Sequence, residues 1–114
     1  MATIRDVKEA LSKIGVDVYH FFAPEERSDR FIIWAETRVG SNVESDDEID
    51  VQVPTGQIYY YTKHEYDETV NELTLALMVH DIGFEIAEIG YDNMLKMIVY
   101  QFNWEVICGA GEIY

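Results

Sequence analysis

The sequence predicts an α+β domain: one mixed, mostly antiparallel sheet with two helices packed on it, in the order α-β-β-β-α-β-β. Three observations carry this expectation. TIRDVKEALSKIG and YDETVNELTLALMVHDIG repeat apolar residues at helical spacing. The runs between and after them are rich in β-branched and aromatic residues. Only one helix both follows a strand and precedes another, which disfavours repeated parallel winding. The 114 residues show no repeat and no linker, so they make a single domain over 1–114.

In the first helix Thr3 stands where a cap belongs, Asp6 completes a capping box and Gly15 supplies a left-handed stop. Ile4, Val7, Leu11 and Ile14 form one apolar stripe, with Arg5, Lys8, Glu9 and Lys13 off it. VDVYHFFA and FIIWAETRV read as strands parted by the polar turn PEERSD. Phe31, Ile33 and Ala35 face one way and Ile32, Trp34 and Glu36 the other. Apolar residues on both faces predict a central strand, or one whose outer face meets another subunit. GSNVESDDE reads as a long polar loop. IDVQVPTGQIYYYTK follows as a third strand interrupted at Pro54-Thr55-Gly56, or equally as two short strands.

Asp67 caps the second helix, Glu68 and Glu72 favour its dipole, and Gly83 ends it. Val70, Leu73 and Leu77, widened by Ala76 and Val79, form the stripe expected at the centre of the core. FEIAEI, a turn at GYDN and the long strand MLKMIVYQFNWEVI complete the sheet. In that last strand Ile98, Tyr100, Phe102, Trp104 and Val106 alternate with Val99, Gln101, Asn103 and Glu105. The tail CGAGEIY reads as irregular.

Charge narrows the function. Eight basic residues against 22 acidic ones give −14, which disfavours unaided binding to nucleic-acid phosphates. The balance is uneven. Residues 1–39 hold six basic residues against seven acids, whereas residues 40–114 hold only Lys63 and Lys96 against fifteen acids. Such asymmetry suits copies that meet head to tail. Arg27, Arg30 and Arg38 are the candidate cations, to be met by acids of a neighbouring copy. Glu44, Asp46, Asp47, Glu48 and Asp50, crowded into NVESDDEID, form the candidate acidic contact. That stretch lacks the spacing and the glycine of a calcium loop and reads as a solvated loop, not a metal site.

No catalytic constellation emerges. His20, His64 and His80 lack ligand spacing, and HEYDE is not HExxH. Cys108, the one cysteine, excludes an internal disulfide and has no nucleophile motif around it. GAG at 109–111 precedes no helix, so it is no phosphate loop. IYYYTK splits its tyrosines between two faces in acidic surroundings, which fits core and interface aromatics better than nucleic-acid stacking. No run reaches the length of a membrane span, and MATIRDVKEA lacks the apolar stretch of a signal peptide. Neither enzyme activity nor a cofactor is expected.

QIYYYTKHEYDETVNELTLALMVHDIGFEI followed by YDNMLKMIVYQFNWEV resembles the tail terminator (tail completion) proteins of long-tailed bacteriophages. VDVYHFFAPEERSDRFIIWAE is similar to their first two strands, so the resemblance spans most of the chain. It is one of layout, without a catalytic signature. It implies a structural protein of phage or prophage origin, a homo-oligomeric ring, usually a hexamer, on the finished end of the tail tube. Such a ring ends tube growth and forms the head-tail joining surface. Its partners are further copies of itself, the tail tube protein and the head connector protein; DNA is only cargo in the lumen, and no membrane is involved. The expected location is the head-proximal end of the virion tail, after assembly in the host cytoplasm. Either the acidic loop lines the lumen and repels phosphates, or it docks a basic partner. Another head-tail connector component is the nearest alternative. An acidic DNA-mimic inhibitor of a host nucleic-acid enzyme and a small enzyme are rivals from other classes.

Overall fold

The computed structural model describes residues 1–43 and 49–114, and of residues 41–43, 49 and 50 the backbone alone. The acids Glu44, Asp46, Asp47 and Glu48 therefore lie outside the described residues, as does the Asp50 side chain.

The elements in chain order are α1 (Ile4–Ser12), β1 (Asp17–His20), β2 (Arg30–Val43), β3 (Ile49–Thr62), α2 (Thr69–Val79), β4 (Gly83–Asp92), β5 (Met97–Glu105) and β6 (Cys108–Gly109). The sheet runs β1-β2-β3-β5-β4, with β6 paired to β3. Every pair is antiparallel except β1 with β2. The α+β class and the element order match the sequence reading. β2 and β3 hold 14 residues each, which at about 3.3 Å per residue accounts for most of the 52 Å long axis of a 52 × 25 × 22 Å molecule.

Register sorts the side chains into two faces. Trp34, Ile58, Phe102 and Ile86 lie in one row across β2, β3, β5 and β4, and Ile32, Tyr60, Tyr100 and Ile89 in the next. The helices cover this face. Ile4, Val7, Ala10 and Leu11 of α1 join Leu73 and Leu77 of α2, Ile32, Trp34, Ile58, Tyr60, Phe102 and Trp104 in one buried cluster. Among the described residues the opposite face carries no helix. Its rows are Phe31–Tyr61–Val99–Gly90, Ile33–Tyr59–Gln101–Glu88 and Ala35–Gln57–Asn103–Glu85. Phe31 is nonetheless buried, stacked on Tyr61 at 4.6 Å with the Arg27 guanidinium 5.5 Å above its ring.

The one parallel pair of the mixed sheet is β1 with β2, because the chain reverses at Phe21 (φ 72°) and returns through residues 22–29 to start β2 alongside. Five local expectations are corrected. β2 runs to Val43, so the first residues of the predicted polar loop belong to a strand. β3 passes unbroken through Pro54, which pairs with Val39 and whose carbonyl accepts the Val106 amide at 3.0 Å. The irregularity sits on β2 instead, where the register shifts between Glu36 and Arg38 and the Thr37 hydroxyl donates to the Thr55 carbonyl. α2 stops before Gly83. Asp81 takes the left-handed turn (φ 60°) and the Ile82 amide returns to the Leu77 carbonyl at 2.9 Å, freeing Gly83 to begin β4. β4 continues through Gly90 and Tyr91. The turn after it is held by Asp92 Oδ1, which accepts the Met94 and Leu95 amides at 2.9 Å each. The tail is ordered too: β6 pairs with Val51 and Gln52, and the Ile113 carbonyl accepts the Ile4 amide at 2.8 Å.

Gly56 shows why the third strand needs a glycine. A Cβ there would stand 2.0 Å from the Ala35 carbonyl oxygen and 2.6 Å from the Trp104 ring. Gly56→Ala is expected to displace Trp104 and cost about 1–3 kcal/mol, the usual range for overpacking. Urea unfolding with tryptophan fluorescence measures both effects, and an unchanged midpoint and spectrum would contradict the packing described.

Candidate functional site

Two features organise the functional surface: an anchor at the start of α2, and apolar side chains left uncovered at both edges of the sheet. The anchor begins with Thr62, the last residue of β3. The short connection to α2 brings Asp67 back over the sheet with its side chain only 3% exposed. Its Oδ2 accepts from Tyr60 Oη at 2.6 Å, Thr62 Oγ1 at 2.6 Å and Arg30 Nε at 2.9 Å. Oδ1 accepts the Thr69 amide at 3.0 Å, so Asp67 serves as the expected cap and also ties α2 to β2 and β3. Burial opposes its ionisation. The hydrogen bonds from Thr62, Tyr60, the Thr69 amide and Arg30 outweigh burial and hold the carboxyl below the usual carboxylate range. Burial, then the bond to Asp67, pushes the Tyr60 phenol up to about 12.

The edges are set by the same topology. α2 presents apolar residues almost all round, as TLALMV implies, but buries only Leu73 and Leu77. Leu75, Met78 and Val79 point outward. Val79, expected on the inner stripe, is 81% exposed. α2 contacts β4, the edge strand, whose Ile86, Ile89 and Tyr91 are also exposed on the helix side of the sheet. At the opposite edge Phe21 and the 80% exposed Phe22 follow β1. Apolar surface of this extent marks contact sites more often than bare solvent-facing structure.

The predicted interaction residues fall in separate places. Arg27 is exposed over Phe31. Arg30 is engaged with Asp67 inside its own subunit. Arg38 is exposed beside a cleft of about 470 Å3 that Glu85, Asn103 and Glu105 also line. The structure does not bring the three arginines together. The apolar edges escaped the sequence reading, because LTLALMV and FEIAEI look like ordinary core segments until the neighbours that should cover them are known.

Two of the histidines and the cysteine make contacts within the fold. His20 stacks on Trp34 at 4.0 Å and meets Glu36 at 2.5 Å. His80 lies 3.4 Å from Lys13 Nζ. The buried Cys108 thiol is pushed up by burial, then by Asp6 and Glu112, and donates to the Ala2 carbonyl at 3.1 Å. Among the described residues no group of three or more His, Cys, Asp or Glu is placed to hold a metal, and no helix is long and apolar enough to cross a membrane. Comparison with family models and with curated proteins returns no match to this chain.

Proposed function

We propose that this protein is a structural subunit that closes into a ring on the end of a bacteriophage tail tube, stops tube growth and offers the head-tail joining surface. One observation carries the self-assembly: different apolar patches stand exposed at opposite edges of one sheet. A contact that joins unlike patches is heterologous, and heterologous contacts generate rings when the rotation closes. Phe21 and Phe22 of one copy would meet Leu75, Met78, Val79, Ile86 and Ile89 of the next. Exposed Arg27 and Arg38 would add cations to an otherwise acidic boundary, whereas Arg30 keeps its place in the Asp67 anchor. The work is binding alone. The acidic stretch 44–50 then faces either the lumen, where it keeps DNA moving, or a basic partner.

Analytical ultracentrifugation and negative-stain electron microscopy test this reading, with purified tail tubes present in a second arm. Discrete rings are expected, capping the tubes where tubes are present. Phe22→Glu and Ile89→Glu should each dissolve the rings while circular dichroism stays unchanged, because both side chains already face solvent in the subunit. A monomer that never assembles, with or without tubes, would overturn the proposal. Reversing Arg27 and Arg38 to Glu should weaken assembly further as salt is lowered; unchanged assembly removes the electrostatic part.

A further inference from the structure

On the helix-free face, toward the turn between β4 and β5, lies a groove of about 270 Å3. It exists because one side chain is missing. Gly90 shares a row with Tyr61 and Val99, and a Cβ built on it would meet nothing within 4 Å among the described residues. It is lined by the half-buried Tyr59 and Tyr61, by Val99 and Gln101, and by the acidic Glu88 and Asp92.

We infer that this groove receives an arginine side chain from a basic protein partner. The chemistry of the lining selects the occupant. Neutral aromatic faces attract a cation, most strongly when it is planar and weakly hydrated. The exposed Glu88 carboxylate can accept the hydrogens of a guanidinium as a fork, which an ammonium cannot match, and Asp92, whose Oδ1 is engaged by the Met94 and Leu95 amides, adds negative charge. Burial, followed by the nearby Asp92 charge, raises the Tyr61 phenol, so the ring stays neutral well above physiological pH. The chain has few cations of its own to supply. It carries 8 basic residues against 22 acidic ones; with Arg30 bound to Asp67 and Arg27 held over the neighbouring Phe31 ring, only Arg5 and Arg38 remain as exposed arginines, far outnumbered by carboxylates. Charge complementarity therefore points to a different, basic chain. The inference rests on this groove and not on ring closure, so the two can fail separately.

Titration of the labelled protein with N-acetyl-arginine amide, followed by amide and tyrosine-ring NMR, tests it. Saturable shifts are expected at Glu88, Gly90, Gln101 and the Tyr59 and Tyr61 rings. The uncharged isostere N-acetyl-citrulline amide should bind at least tenfold more weakly, and N-acetyl-lysine amide severalfold more weakly. Gly90→Leu should fill the groove and lower affinity at least tenfold, with shifts elsewhere in the spectrum preserved. Glu88→Gln removes one lining charge at an exposed site and should weaken binding severalfold; it decides the matter if the leucine variant folds poorly. Shifts spread evenly over all acidic surfaces, or undiminished in both variants, would overturn the groove. Equal binding of the lysine amide would overturn the choice of arginine.

Discussion

Asp67→Ala lowers the unfolding free energy by about 3–5 kcal/mol, a large fraction of the stability of a domain this size. The substitution removes the acceptor for two buried hydroxyls, Tyr60 and Thr62, and for the Thr69 amide that opens α2. Each buried donor left unpaired costs about 1–3 kcal/mol, and a lost helix cap about 0.5–2 kcal/mol. Arg30 adds little to that sum, because its side chain is 42% exposed and finds water when Asp67 is gone. The same carboxylate predicts a pH dependence. Its folded-state value lies below the ordinary one, so its stabilisation is present above about pH 4 and is lost as pH falls through the folded value. Tyr60 acts at the other end. Its phenol is raised to about 12, so its share is present below about pH 10 and is lost as pH climbs toward 12. Urea midpoints measured from pH 2 to 12 check both limbs. The acid limb should flatten in Asp67→Asn and the alkaline limb in Tyr60→Phe; wild-type slopes in both variants would assign the pH dependence to other groups.

Leu73→Ala or Leu77→Ala is expected to cost about 2–5 kcal/mol each. Both side chains are fully buried in the cluster that also holds Tyr60, Phe102 and Trp104. Transfer of the deleted carbons accounts for about 2 kcal/mol, at about 0.8 kcal/mol per buried methylene. The rest is cavity, which large rings anchored in paired strands cannot close by collapse. Val79→Ser, two residues past Leu77 on the exposed side, should change stability by no more than about 0.5 kcal/mol. Chemical denaturation separates the cases through a shifted midpoint at constant slope. A loss below about 0.5 kcal/mol at either leucine, or a large loss at Val79, would reverse the assignment of the two faces of α2.

Much of the fold was legible because period and capping are local properties. The α1 stripe is readable since Ile4, Val7 and Leu11 repeat at 3.6 residues, and Gly15 turns left-handed (φ 87°) as its position implies. The alternation in β5 is readable since Phe102 and Trp104 must share one side of a pleated strand, and both are buried. Asp67 was legible as a cap but not as an anchor, because Tyr60, Thr62 and Arg30 reach it only after β2 and β3 have paired. The groove at Gly90 was hidden for a related reason: an absent side chain has meaning only beside the residues that line the space it leaves.

The sequence alone determined the α+β class, the element order, the α1 stripe, the acidic balance and the absence of a recognisable catalytic spacing, all of which depend on neighbours along the chain. Tertiary structure decided the parallel placement of β1, the unbroken passage of β3 through Pro54 and the sixth strand in the tail. It also decided which side of α2 stays dry and which edges of the sheet stay bare. These depend on contacts between residues far apart in the chain, such as Val106 with Pro54 or Cys108 with Ala2. Local propensity cannot encode such contacts, because burial of a side chain is settled by what packs against it and not by its own hydrophobicity.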